Sequence, residues 1–217
     1  MLDSRGNIAL ACALSAIAGY VDGIGFLHLG GLFVSFMSGN STRMGVSLAA
    51  ADWLNAAQAF GLIALFVMGA AAGSLIVLGR GANRQPLILL AEAGLLGAAA
   101  LSYTLGFAQM AVAAIVLAMG LENAVFQLQG GAGLGLTYVT GALVKVGQLV
   151  ATALTGGRRW EWVPNLLLWA SLVAGSALGG LGYHWINLAA IWFAAGAALA
   201  LSVLVAAAAS SERVARH

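Results

Sequence analysis

The chain has 217 residues, of which 62% are hydrophobic and only 7% are charged, with a formal net charge of +2. A soluble domain usually carries roughly 25% charged residues, so this composition excludes a water-soluble protein. It predicts a single transmembrane domain over residues 1–217, surrounded by the lipid bilayer. The charge is too small and too scattered for nucleic acid to be a partner.

A helix that crosses a bilayer needs about 20 mostly apolar residues, and hydrophobic segments of about this length follow one another along the chain. Eight are expected: Asn7 to about His28, Leu32 to about Ala51, Ala56 to Leu78, Leu87 to about Leu105, Ala108 to Leu128, Leu136 to Leu154, Trp162 to about Tyr183, and Trp185 to about Ala208. A polar loop containing Arg80, Asn83 and Arg84 separates the third and fourth segments, and a glycine-rich connector, Gly130–Gly135, precedes the sixth. The sequence therefore predicts an all-α polytopic membrane protein.

Two of the segments are interrupted by polar, glycine-containing runs. The first polar break is Phe33-Val-Ser-Phe-Met-Ser-Gly-Asn-Ser-Thr-Arg-Met-Gly45, and the second is Thr137-Tyr-Val-Thr-Gly-Ala-Leu-Val-Lys-Val-Gly147. Ser38-Gly39 corresponds to Thr140-Gly141, Arg43 to Lys145, and Gly45 to Gly147, always at the same sequence separation. The recurrence indicates that the polar breaks carry the function.

The similarity extends to the neighbouring segments. Gly19-Tyr-Val-Asp22 matches Gly120-Leu-Glu-Asn123, and the Gly69/Gly73 pair matches Gly175/Gly179. These matches occur in the same order at nearly the same separation, which predicts internal repeats of about residues 1–106 and 107–217. The paired glycines are expected to be helix-packing faces, within the monomer or in a homodimer.

The positions of the basic residues favour one topology. If all eight segments cross the membrane and the N-terminus is cytoplasmic, Arg80 and Arg84 lie outside, against the positive-inside rule. If the two broken segments re-enter instead, every basic loop is cytoplasmic. Each repeat then has three spanning helices plus one broken, re-entrant segment, and the repeats are inverted. The alternative fold is eight spanning helices arranged as two parallel four-helix repeats.

The polar breaks have the composition of half-helix starts. Ser38 and Thr140 are suitable N-caps, and a helix N-terminus offers unpaired N–H groups and the positive end of its dipole. Two such ends meeting at the midplane would bind an anion or a small polar solute with acceptor groups. The acidic and amide residues of the preceding helices would balance the nearby cations or carry a coupling proton or sodium ion. The predicted substrate-binding residues are Ser38, Gly39, Asn40, Arg43, Thr140, Gly141, Lys145, Asp22, Glu122 and Asn123.

A structural explanation of the same residues remains open. Arg43 and Lys145 could extend to the membrane interface, and Ser, Thr and Asn side chains often only join neighbouring helices. Asp22 or Glu122 could form an ion pair with Arg43 or Lys145. The protein would then be a non-transporting scaffold or sensor. The role of Glu92, in the fourth segment, is left open.

Enzyme chemistry is not expected. No histidine lies in the middle of a segment, His-Glu-x-x-His is absent, and Ser38 has no obvious base partner. Cys12 is the only cysteine, so neither a disulfide within the chain nor a cysteine metal site is expected. The sequence predicts no cofactor and no metal.

Three strings together resemble the YoaK-like family of small bacterial inner-membrane proteins: Gly19-Tyr-Val-Asp-Gly-Ile-Gly-Phe, Phe33-Val-Ser-Phe-Met-Ser-Gly-Asn40 and Thr137-Tyr-Val-Thr-Gly141. The resemblance covers nearly the whole chain and implies a polytopic protein of the bacterial inner membrane, without an agreed substrate. With the topology above, both termini would be cytoplasmic. Family members commonly have Thr where this chain has Ser38, and the second break has Ala142 where the first has Asn40.

Overall fold

A computed structural model describes residues 5–79, 84–125 and 139–214, with side chains in 6–79, 84–125 and 139–211. The described residues form helices and no strands, which confirms the all-α prediction. The helices are α1 Arg5–His28, α2 Met37–Ala49, α3 Trp53–Leu78, α4 Gln85–Thr104, α5 Ala108–Glu122, α6 Val139–Leu154, α7 Val163–Ile186 and α8 Ile191–Val214, with a 3-10 turn Asn187–Ala190 between the last two. Arg80, Asn83 and the Gly130–Gly135 connector lie outside the described residues.

Each expected apolar segment is represented by one helix. Five apolar stretches in the described part of the chain are long enough to cross a membrane: Gly6–His28, Trp53–Leu78, Gln85–Thr104, Ala108–Val125 and Val163–Ser211. The last has 49 residues and contains both α7 and α8. By contrast, α2 has 13 residues and α6 has 16, or about 20 and 24 Å at 1.5 Å per residue. α2, which has described residues on both sides, is shorter than the hydrocarbon core, about 30 Å thick.

Glycines let α1 and α7 pack backbone to backbone. A methyl group added at Gly19 or Gly23 of α1 would collide with the carbonyl oxygens of Leu172 and Ser176, respectively, in α7. Residue numbers rise together along both helices, so α1 and α7 are parallel. Close approach through small residues is the usual way in which membrane helices associate.

The pair α3 and α5 packs in the same manner. A methyl group at Gly69 would meet the carbonyl oxygen of Leu117, and one at Gly73 would meet that of Leu121 at 2.7 Å. These helices are therefore also parallel. The prediction that the Gly69/Gly73 and Gly175/Gly179 pairs are packing faces is confirmed, because additions at Gly175 and at Gly179 would also collide with backbone carbonyls of α1.

Aromatic contacts show that α1, α4 and α7 end on the same side of the molecule. The ring of His28, the last residue of α1, lies 6.4 Å from that of Tyr103 near the end of α4, and 6.0 Å from that of Tyr183 near the end of α7. Ser202, halfway along α8, donates a 2.8 Å hydrogen bond to the carbonyl oxygen of Pro86 at the start of α4, whereas Trp192 at the start of α8 lies near Gly97 in the second half of α4. Thus α4 runs parallel to α1, and α8 runs antiparallel to α4.

The starts of α3 and α5 lie at this same side. A cavity of about 490 Å³ is lined by His28 and Leu29 at the end of α1, Gln58 in the second turn of α3, and Ala108 and Gln109 at the start of α5. The chain between α1 and α3, which contains α2, therefore leaves and returns at one side of the bundle.

Candidate functional site

The first polar break is held by Asp22 of α1. One carboxylate oxygen, Oδ1, accepts hydrogen bonds from the backbone N–H groups of Val34 (2.8 Å) and Ser35 (2.7 Å), and the other, Oδ2, accepts one from the Ser35 hydroxyl (2.6 Å). Asp22 is only 7% exposed and Ser35 only 2%. A buried backbone N–H without a partner is costly, so Asp22 replaces the partners that a continuous helix would have supplied.

Two side chains of α2 reach back to the same turn. Asn40, which is fully buried, accepts a 2.8 Å hydrogen bond from the N–H of Phe33 and donates a 2.7 Å one to its carbonyl oxygen. Arg43 donates a 2.7 Å hydrogen bond to the carbonyl oxygen of Gly31. The amide of Asn40 thus serves as a substitute for backbone pairing, and Arg43 satisfies a carbonyl at the start of the turn.

The prediction that Ser38 is the N-cap of α2 is wrong. The helix begins at Met37, Phe36 occupies the N-cap position, and no side chain caps it. The carbonyl oxygen of Phe36 accepts the N–H groups of Gly39 and Asn40, at 3.1 and 3.4 Å. Because Asp22 fixes the chain at Val34 and Ser35, the first helical turn starts before Ser38, whose side chain is exposed.

In the second break, the described part starts with Val139, the first residue of α6. Thr140 and Lys145 are exposed and Gly141 is half-buried. Among the described residues, no hydrogen bond or ion pair joins Lys145 to another group. Asn123, which corresponds to Asp22, donates a 2.9 Å hydrogen bond to the carbonyl oxygen of Met119 in its own helix.

A cavity of about 540 Å³ lies between the two breaks. Its lining includes the turn before α2, the first turn of α6, and the facing sides of α1 and α7. The residues are Asp22, Gly23, Phe26, Phe33, Ser35, Phe36, Val139, Thr140, Leu143, Trp169, Leu172 and Ser176. Three hydroxyl groups and one carboxyl group therefore share a space with four aromatic rings.

The cavity brings together only part of the predicted site. Of the predicted residues, Asp22 and Thr140 line it, and Ser38, Gly39, Asn40, Arg43, Gly141, Lys145, Glu122 and Asn123 do not. Nor does Asp22 or Glu122 form an ion pair with Arg43 or Lys145 in the described structure. The sequence analysis missed Ser35, Trp169 and Ser176. Ser35 lies within the first break, so its position was a signal, whereas nothing in the α7 sequence distinguishes Trp169 or Ser176.

Two further acidic side chains lie inside the helix bundle. Glu92 of α4 is 0% exposed and Glu122, the last residue of α5, is 1% exposed. Neither carboxylate oxygen of Glu92, nor Oε1 of Glu122, has a hydrogen-bond partner among the described residues. Glu92 and Asp22 are acidic neighbours of Glu122. Asp22 thus links these acids to the cavity.

Comparisons with known proteins agree with the membrane character of the chain. Residues 10–204 match a family model described as "Protein of unknown function (DUF1275)". The chain is similar to the UPF0700 transmembrane protein RA0705 of Rhizobium meliloti (strain 1021), with 35% identity over 166 residues, covering 76% of this chain and 71% of the relative. No solved structure gives a significant match. The chain belongs to the DUF1275 family of membrane proteins, which confirms the family resemblance seen in the sequence.

Proposed function

We propose that the protein is a small-solute transporter or channel whose binding site is the 540 Å³ cavity between the polar breaks. The observation that supports this most is that Phe36, the N-cap residue of α2, and Val139 and Thr140, the first described residues of α6, line one cavity together with a buried acid. Helix N-termini present N–H groups and positive dipole ends to such a space. Transporter sites are commonly built in this way.

The lining favours a small solute with hydrogen-bond acceptor groups and an apolar part. The N-terminus of α2 and the hydroxyls of Thr140 and Ser176 supply donors, and aromatic rings such as Trp169 supply the apolar surface. No Lys or Arg is among the described lining residues. The preference for an anion, if it holds, would thus come from the helix ends and not from Arg43 or Lys145.

We also propose the inverted-repeat architecture, with three spanning helices and one re-entrant helix in each half. Support comes from the parallel directions of α1 and α4, from the return of the chain to one side between α1 and α3, and from the shortness of α2. Eight helices that cross the membrane in alternating directions would make α1 and α4 antiparallel, so these contacts favour the inverted-repeat architecture. It would put both termini on the cytoplasmic side of a bacterial inner membrane.

The glycine contacts support the repeat residue by residue. Gly19 of α1 faces Leu172 of α7, and Gly120 of α5 faces Phe66 of α3. Leu172 and Phe66 are as far apart in sequence as Gly175 and Gly69, the pair that suggested the repeat. Each tight pair thus joins one helix of the first half to one helix of the second, in the arrangement that a pseudo-two-fold axis would produce.

A second candidate function is a non-transporting scaffold or sensor. The hydrogen bonds of Asp22, Asn40 and Arg43 favour it, because all three side chains stabilise the first turn of the chain after α1. These contacts leave the cavity open, however, and the scaffold gives no role to a space that collects donors at two helix starts.

Solute flux separates the two candidates. Purified protein in liposomes is mixed with gradients of glycine, sodium acetate, urea, glycerol or choline chloride, and swelling is followed by stopped-flow light scattering. We expect glycine and acetate, which carry carboxylate acceptors, to enter faster than choline and faster than in empty liposomes. Thr140→Trp would fill the cavity and reduce the rate at least about tenfold.

The matched control is Thr152→Trp, which puts the same side chain at an exposed position of the same helix, outside the cavity. It is expected to keep the wild-type rate. Equal rates for Thr140→Trp and the wild type, or swelling no faster than in empty liposomes throughout the panel, would favour the scaffold.

A further inference from the structure

Glu92 is an isolated polar group in the apolar interior. It lies in α4, and the residues one helical turn away on its own face, Ile88, Leu89 and Leu96, are all completely buried. Both of its carboxylate oxygens lack a hydrogen-bond partner in the described structure. An ionised carboxylate in such surroundings is very costly unless a cation or several donors compensate it.

Glu122, at the end of α5, is also buried. Its side chain is 1% exposed and its Oε1 has no partner within the described residues. The charges that act on it from the described residues are those of Glu92 and Asp22, and both are acidic. Two carboxylates that share one desolvated site cannot both be charged without strong repulsion.

Among the side chains that the structure describes, the helices packed against α4 and α5 bring no lysine or arginine. α3 contains no charged residue, and the 3-10 turn contains none either. In α8, the residues whose side chains are described include no charged group. α1 contributes Asp22, together with Tyr20 and His28, and Asp22 is already bound to the first break.

We propose that Glu92 and Glu122 form a proton-binding site inside the helix bundle, separate from the cavity and connected to it through Asp22. A proton fits this site better than a metal ion. A sodium ion needs several oxygen ligands, and the described residues contain no group of three His, Cys, Asp or Glu side chains arranged to hold a metal. Intramembrane acids that lack a cation partner mark proton relays in pumps and transporters.

The proposed function gives this site a use, and the coupling part of the inference rests on that function. Asp22 both lines the cavity and interacts electrostatically with Glu122. Solute binding that changes the hydrogen bonds of Asp22 would change the affinity of Glu92 and Glu122 for their proton. By linkage, protonation of these two residues would change the affinity for the solute. The proton site itself does not depend on transport and is measured without a solute.

Infrared spectroscopy of the purified protein tests the proton site. We expect wild-type protein at pH 7 to show a carbonyl stretch of protonated carboxylic acid that shifts in deuterium oxide and loses intensity in Glu92→Gln or Glu122→Gln. The matched control is Glu161→Gln, an exposed acid paired with Arg158 at 3.3 Å, which should leave the band unchanged. A wild-type band that neither core variant alters would overturn the proton site, as would a sodium-dependent loss of the band.

Coupling is tested separately with the glycine and acetate gradients described above. An inward proton gradient should accelerate wild-type flux. In Glu92→Gln, downhill flux should remain, but the acceleration caused by the proton gradient should be at least about tenfold smaller. Undiminished acceleration in Glu92→Gln would overturn the coupling. If the infrared band is present and no solute moves, the proposed function fails while the proton site stands.

Discussion

The first and second polar breaks differ in what their acidic side chains do. Before the first break, both carboxylate oxygens of Asp22 accept hydrogen bonds from the chain that follows, and Ser35 donates two of the three. Before the second break, and among the described residues, Asn123 bonds only to the carbonyl oxygen of Met119 in the preceding helix, and Glu122 beside it has one oxygen without a partner. One acid is used to shape the backbone and the other is left available.

This difference suggests a division of labour between related sequences. An acid that is consumed by backbone N–H groups cannot exchange a proton without loosening the turn it holds. An acid whose oxygens hold no backbone group exchanges its proton at less structural cost. Under the proposed function, the first break supplies one wall of the cavity, and the helix before the second break supplies Glu122 of the proposed proton site.

The largest expected effect comes from exchanging the two corresponding residues for leucine. Asp22→Leu leaves two buried N–H groups and a hydroxyl without their acceptor, so we expect a loss of about 4 kcal/mol in the free energy of unfolding. Asn123→Leu removes one hydrogen bond within a helix and should cost about 1 kcal/mol or less. Unfolding in mixed micelles with increasing SDS measures both. Similar losses would mean that the two breaks are held in the same way.

Asn40 and its counterpart Ala142 sharpen the comparison. Asn40→Ala removes both hydrogen bonds to Phe33 and is expected to destabilise the protein by about 2–3 kcal/mol. Ala142→Asn, at a position only 8% exposed, should cost about 1–3 kcal/mol because a buried amide needs partners. The same unfolding measurement applies. A neutral or stabilising Ala142→Asn would show that an asparagine amide can also bond to the backbone of the second break, as Asn40 does in the first.

The glycine contacts predict equal effects in the two halves. Gly19→Ala and Gly120→Ala should each cost about 1–3 kcal/mol, since the added methyl groups collide with carbonyl oxygens of Leu172 and Phe66. Gly196→Ala in α8 is the control, because nothing lies within 4 Å of the added carbon, and it should be neutral or slightly stabilising. Unequal losses at Gly19 and Gly120 would argue against matching packing.

The smallest effects are expected at the two cations. Arg43→Ala removes one hydrogen bond, to the carbonyl oxygen of Gly31, and should cost about 1 kcal/mol. Lys145→Ala should change the unfolding free energy by less than about 0.5 kcal/mol. Glycine swelling rates for both variants then show whether either cation affects the solute. A slower rate for Lys145→Ala with unchanged stability would place it in the solute path.

The sequence alone was sufficient for the order and type of the helices and for the glycine faces, because long apolar runs and repeated small residues act locally. It also named Asp22 and Thr140, which line the same cavity. It did not identify the partner of Asp22, since a carboxylate can pair with a cation or with backbone N–H groups. Because Arg43 lies nearby in the sequence, an ion pair was considered, whereas Asp22 bonds to the backbone.

The pairing of Glu92 with Glu122 and the cavity-lining residues of α7 could not be predicted from the sequence for a different reason. Glu92 and Glu122 lie on different helices, and only the packing of α4 against α5 makes them neighbours. Trp169 and Ser176 belong to an unremarkable apolar run, and they line the cavity because α7 docks on α1. Such contacts depend on which helix faces which, and no pattern within a single helix encodes that choice.

The docking of α1 on α7 has a consequence for how the protein is made. α1 emerges from the ribosome first, whereas the residues that fill its glycine face, Leu172 and Ser176, are synthesised more than 140 positions later. Until α7 is inserted, the glycine face of α1 can contact only lipid or the insertion machinery. A chain that stalls before α7 would leave this glycine face exposed. Membrane quality-control proteins would then be able to recognise the incomplete chain by that exposed face.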